Sequence, residues 1–151
     1  MRRLAVLLVL GGISCRSQAP APVPQSLDAS VSAFLDAVQA NDLTRMGALW
    51  GTERGPAGSW MDATQLKKRL TVIQHYLSHD GYRILEGPLP VADHEDERSF
   101  HVELERGTCN VVLPIDVVRA HSGSWLVYDV HLEALSAPSA TCPPGRGGTA
   151  P

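Results

Sequence analysis

The sequence predicts an α+β domain in which three N-terminal helices pack on a curved, four-stranded antiparallel sheet. Two observations carry this reading. Apolar residues recur every three or four positions as far as Leu77, and every second position from Tyr82 to Leu132. Turn-forming residues stand where the pattern breaks, at Asn41, Gly51, Gly81, Gly107 and Gly123. Helices grouped ahead of strands, without alternation, are the α+β arrangement, and short links between the strands make a meander.

Each element follows in order. Asp28 or Ser30 can cap a first helix, whose Val31, Phe34, Leu35 and Val38 fall on one stripe at i, i+3, i+4 and i+7. Asn41-Asp42 ends it and caps a short second helix carrying Leu43, Met46, Leu49 and Trp50. Gly51 to Ser59 reads as a loop. Asp62 or Thr64 opens a third helix with Leu66, Leu70, Ile73 and Leu77 inward and Gly81 as its C-cap. Tyr82 to Ala92 is a first strand, interrupted by Gly87, Pro88 and Pro90 and hence an edge or bulged strand. Asp93 to Arg98 is a charged connection without the spacing or glycine of a calcium loop. Phe100, Val102 and Leu104 alternate in a second strand, and Val111, Leu113, Ile115 and Val117 in a third. Leu126, Tyr128, Val130 and Leu132 alternate in a fourth. The apolar faces of these strands meet the helical stripes.

The opening VSAFLDAVQANDLTRMGALW, the element order, and the closing SGSWLVYDVHLEAL resemble the nuclear-transport-factor-2-like superfamily over about Leu27 to Leu135. That resemblance implies a cone-shaped α+β domain. The superfamily includes isomerases, dehydratases and protein-binding modules, so the fold does not choose a function.

The ends of the chain speak to its location. Arg2 and Arg3 precede an apolar run from Leu4 to Leu10, too short for the ~20 residues of a membrane-spanning helix. It reads as the core of a signal peptide, residues 1–14. Gly12-Ile13-Ser14-Cys15 resembles the bacterial lipobox, with Gly12 where Leu or Val is usual. The resemblance implies export, cleavage before Cys15, and a diacylglycerol anchor on that cysteine holding the chain at a membrane of the cell envelope. The alternative is an ordinary secretory signal with an incidental cysteine. Residues 15–26 then form a Pro-rich tether and residues 136–151 a Pro- and Gly-rich disordered tail, neither able to bury a core. The domain between them, 27–135, has the usual size of one folding unit.

Composition narrows the partners. Without Arg2 and Arg3 the chain carries 11 basic against 16 acidic side chains, a formal charge of −5. With no basic cluster, nucleic acid is not expected, and membrane contact falls to the lipid. With Cys15 acylated, Cys109 and Cys142 are left to pair or to remain as two thiols. A bridge would close a 33-residue span, worth roughly 3–4 kcal/mol on the chain-entropy view, in an oxidising compartment that permits it.

Candidate site residues are few. The inward faces of the strands offer no carboxylate and no histidine, only Tyr128 and Cys109, so no catalytic set is assembled and a filled core or an apolar pocket is expected. Trp60, with Trp50 nearby in sequence, either packs its loop onto the helices or rims the mouth of the cone, and on the second reading Trp50, Trp60 and Tyr128 are the pocket candidates. On the opposite parity lie His101, Glu103, Asp116, Asp129, His131 and Glu133, with Pro114 expected between His101 and Asp129, and Val112 between Glu103 and His131. Such residues suit a solvated sheet face with cross-strand pairs, and His101 and His131 are also weak metal candidates. Trp125, Val127, Val112 and Val118 share that parity and imply a cover: an envelope protein, a second copy of the chain, or the tail. His75 and His79 stand at the i, i+4 spacing that can present two imidazoles to zinc, on the helix face opposite the apolar stripe. No P-loop, dinucleotide fingerprint, G-x-S-x-G, H-E-x-x-H or C-x-x-C occurs, and no cofactor is expected. The expected function is a non-catalytic envelope lipoprotein that binds a small apolar ligand or a protein. The alternatives are an isomerase or dehydratase of the same superfamily, and surface zinc binding.

Overall fold

The computed structural model describes residues 26–136. Residues 1–25, which hold the expected signal peptide, Cys15 and most of the expected tether, and residues 137–151, Cys142 included, lie outside the described residues. The fold is α+β, with three helices followed by a four-stranded antiparallel sheet.

Helix α1 (Leu27–Gln39) buries Val31, Phe34, Leu35 and Val38 completely, the stripe its spacing predicts. Its cap differs from expectation. Ser26 is the N-cap, and Ser30 is buried, its Oγ lying 2.9 Å from the carbonyl oxygens of both Ser26 and Trp125, which share its one O–H. The hydroxyl therefore ties the helix to the sheet. Asp42 caps α2 (Leu43–Leu49), accepting from the Arg45 N–H at 2.9 Å. Asp62 caps α3 (Ala63–Leu77), accepting from Thr64 and Gln65 N–H at 3.0 Å. A short-chain carboxylate at this position satisfies helix-end donors that have no partner within the helix.

Helix α3 ends at Leu77, and Ser78 is extended, so Gly81 is the first residue of a strand and not a C-cap. The segment Gly51–Ser59 is also more ordered than a loop. It forms a two-stranded hairpin, β1 (Gly51–Thr52) and β2 (Gly55–Pro56), followed by a 3₁₀ turn over Ala57–Ser59. Two-residue strands lie below what periodicity can register.

The main sheet runs in chain order: β3 (Gly81–Val91), β4 (His94–Arg106), β5 (Cys109–Arg119) and β6 (Trp125–Val130). β3 is the irregular edge strand that its prolines predict, with register breaks around Glu86 and Leu89. At Gly87 φ is +131°, and a Cβ there would collide with the Phe100 ring. Most of the charged connection belongs to β4, leaving only Ala92-Asp93 as the turn, with Asp93 in the left-handed region at φ 62°. Helix α1 contacts β3, β5 and β6, and α2 and α3 pack on α1.

The core is filled. Phe100, Val102, Leu104, Leu113, Ile115 and Val117 are fully buried in one contiguous cluster with Phe34, Leu35, Met46, Leu70 and Leu77. The fourth strand departs from simple alternation. Asp116 pairs with Asp129, but the next residue of β5, Val117, pairs with Val127, so Tyr128 is the extra residue of a bulge. Val127 and Val130 therefore face the helices, while Tyr128 is 41 % exposed. Trp125 also packs against the core, and Leu126 lies on the other face opposite Val118. The bulge and the longer turn also move the register. Pro114 pairs with His101 and Val112 with Glu103 as expected, but Asp129 faces Asp116, and His131 donates its backbone N–H to the Pro114 carbonyl.

These changes remove the apolar patch expected on the polar face. Trp125 and Val127 turn inward, and Val118 and Leu126 are buried at the end where β1 contacts β5 and β6. The His121 N–H is held there by the Glu53 carbonyl at 2.9 Å. Only Val112 stays open, at 46 % exposure.

The hairpin depends on a close backbone approach at Gly51. A Cβ at that position would overlap the Gly55 carbonyl oxygen and press on Leu126 Cδ1. Gly51→Ala should destabilise the protein by about 1–3 kcal/mol in urea unfolding. Gly58→Ala, where an added Cβ meets only ordinary contacts, should stay within about 0.5 kcal/mol of the parent.

Candidate ligand-binding site

Three chain segments meet at the open edge of β6. Trp50, just past α2, is extended and forms a parallel bridge with Val127. Its indole Nε1–H donates to the carbonyl of the bulged Tyr128 at 3.1 Å. Trp60, just past the 3₁₀ turn, donates its Nε1–H to the Gly55 carbonyl at 3.1 Å, closing the hairpin on itself. Trp50, Trp60 and Tyr128 line one pocket of about 250 Å³, together with Gly51, Thr52, Met61, Arg69 and Asp129. An adjoining hollow of about 430 Å³ shares Trp50 and Arg69 and continues along α3 past Lys68, Val72 and Ile73.

The pocket is at the surface, beside the sheet, and not between sheet and helices. Tyr128 reaches it only because the bulge turns it away from the core where alternation had placed it. Arg69 was not singled out from sequence, and Asp129 was named there only with the polar face of the sheet and not with the pocket. Arg69 lies on the exposed face of α3, and Asp129 has the parity of any solvated strand residue, so neither carries a local signal.

The charges around the pocket are unevenly partnered. Asp129 Oδ1 accepts the Val130 N–H at 2.7 Å. Among the described residues Arg69 and Lys68 make no ion pair. A second trough, about 780 Å³, runs between α2 and α3 over Gly47, Ala48, Gly58 and Ala63. It is larger, but Asp42 on its rim is already committed to capping α2. Polar groups that converge on a ligand, more than volume, mark a specific site.

Next to the pocket, across the Asp116–Asp129 pair, His131 stands between two carboxylates. Its Nε2 lies 2.8 Å from Asp116 Oδ2 and its Nδ1 2.8 Å from Glu133 Oε1. Hydrogen bonding to Asp116 raises the imidazole's pKa against the opposing effect of burial, and Glu133 and the charge of Asp129 add to the rise. The ring, favoured in its charged form, thus sits where two aspartates face each other directly, an arrangement that is otherwise destabilising. Both ring nitrogens are occupied, leaving no free lone pair for general-base work.

The remaining histidines are dispersed. His101 Nδ1 lies 3.0 Å from Glu86. His79 is not in solvent. It follows the helix end instead of standing one turn beyond His75, and it is 3 % exposed. Its Nδ1–H donates to the Leu77 carbonyl at 2.7 Å, its ring meets Tyr82 edge-on, and burial pushes its pKa down. The i, i+4 pair of imidazoles therefore does not exist on one helical face. Among the described residues no group of three or more His, Cys, Asp or Glu is placed to hold a metal. Cys109, at the head of β5, is disulfide-bonded, while Cys15 and Cys142 lie outside the described residues. In comparisons with known proteins, no family model and no curated protein matches this chain.

The raised pKa of His131 has a pH consequence. Stability gained from its imidazolium is fully present below the unfolded-state pKa of about 6.5 and is lost as pH rises through the higher folded value. His131→Gln should therefore cost more stability at pH 5.5 than at pH 9 in paired urea titrations. An equal cost at both pH values would show that the cluster does not stabilise the charged form.

Proposed function

We propose that this chain is an exported lipoprotein, anchored through Cys15, whose domain is a nuclear-transport-factor-2-like cone that binds a small ligand without transforming it. The observation that carries the binding role is the convergence of Trp50, Trp60 and Tyr128, from three separate segments, on one pocket. Large aromatic groups left open to solvent at one place are a recurrent mark of recognition surfaces. The order of three helices and a four-stranded meander supports the superfamily reading. An apolar cluster between sheet and helices, and a His131 held at both nitrogens, favour binding over isomerase or dehydratase chemistry. With Cys15 acylated, Cys142 is the cysteine left to bridge Cys109, pinning the tail to the head of β5.

Two measurements test this proposal. Cys15→Ser should move the expressed protein from the detergent-rich to the aqueous phase of a Triton X-114 separation. Continued partition into detergent would overturn the lipid anchor. For the pocket, two of the chain's three tryptophans line the site, so bound small aromatic or apolar probes such as indole should change the intrinsic emission saturably. Trp60→Ala should abolish most of that change. A flat response across such a panel would remove the binding reading.

A further inference from the structure

We propose that the Trp50–Trp60–Tyr128 pocket selects a small zwitterion with a methylated ammonium head, the cation lodged against the aromatic walls and Asp129 and the anionic end held by Arg69 and Lys68. This rests on the ligand-binding reading above and adds the chemistry of the ligand.

The indole N–H groups of Trp50 and Trp60 are both spent on backbone carbonyls. What these side chains offer a ligand is therefore carbon and π surface. Among the described residues none of the three rings stacks on another, so the walls are not closed by their own contacts. The faces of such rings carry negative electrostatic potential and attract cations within about 6 Å of the ring centre. Asp129 lines the same wall.

The opposite charge is nearby and unneutralised. Arg69 lines both the pocket and the adjoining hollow, Lys68 lines the hollow, and no carboxylate pairs with either among the described residues. A cation alone would leave these two groups unused and would be repelled by them. A ligand carrying both signs, its anion directed along α3, satisfies both ends.

The head group follows from hydrogen-bond supply. A primary ammonium brings three N–H donors, each costly to desolvate without an acceptor. Three of the eight residues lining the pocket are aromatic, and Asp129 is the one carboxylate among them. A quaternary ammonium has no donors to satisfy and keeps its attraction to the rings. The pocket's 250 Å³ is also below the ~300–1,000 Å³ of sites for drug-sized ligands, which suits a compact head group.

The test is calorimetry on the purified full chain in dodecylmaltoside with four probes: glycine betaine, phosphocholine, choline, and 3,3-dimethylbutan-1-ol, the uncharged isostere of choline. At least one zwitterion should bind, with the uncharged isostere at least tenfold weaker, a difference of about 1.4 kcal/mol. Tyr128→Ala should weaken binding about tenfold with an unchanged melting temperature, and Trp60→Ala, which also releases the hairpin, should weaken it at least as much. Arg69→Ala should erase the preference for the zwitterions over choline. Phosphatidylcholine vesicles that compete with the free zwitterion would identify a lipid head group as the source, and vesicles that do not would identify a free solute. Equal binding of the uncharged isostere, or indole binding without any methylated ammonium binding, would overturn the zwitterion and leave the pocket's binding role standing. Loss of indole binding as well would overturn both.

Discussion

Tyr128 has no partner across the sheet. The residues before and after it, Val127 and Asp129, pair with successive residues of β5, and that extra residue changes the outer strand in three ways. It returns Val127 and Val130 to the core face. It exposes the Tyr128 ring at the sheet edge and frees its carbonyl, which the Trp50 indole takes up at 3.1 Å. A neutral hydrogen bond of this kind is worth only about 1 kcal/mol net. Its larger effect is positional, because it fixes the chain leaving α2 along an edge that would otherwise offer unpaired backbone groups.

With Trp50 held there, the hairpin after it has one place to go. Gly51 allows the two short strands to touch backbone to backbone, and Leu126 is buried beneath them. Trp60 returns to the Gly55 carbonyl, and the end of the hairpin becomes a pocket wall. The same segment thus covers an apolar end of the sheet and presents aromatic rings to solvent beside Asp129. Stability and recognition are joined at this edge, so substitutions that loosen the hairpin also open the pocket.

The polar face behaves as a balanced surface. Glu103 accepts from Arg83 at 2.7 Å, His101 meets Glu86, and His131 bridges Asp116 and Glu133. Each pair is partly solvated, and exposed pairs contribute little individually. The exception in kind is His131, whose charged form is favoured beside two aspartates placed opposite each other by the bulged register.

The order of helices and strands, the α1 stripe, the caps at Asp42 and Asp62, and the turns at Gly107 and Gly123 were legible in the sequence, because each rests on neighbours within a few residues. The faces of β4 and most of β5 were legible too, since strict alternation continues there. Legibility stopped where one residue changed a geometric count. The helix end at Leu77 moved His79 from solvent into the interior, and the bulge at Tyr128 reversed the parity of Trp125, Leu126, Val127 and Tyr128. Trp50, Trp60 and Tyr128 could be named as aromatic candidates from sequence, but their meeting place could not, nor could the roles of Arg69 and Asp129. Sequence by itself determined which residues must be buried or capped, because burial and capping are local demands of hydrophobicity and hydrogen bonding. Only the tertiary structure decided which exposed residues share a site, because that depends on register and edge pairing between segments distant in the chain.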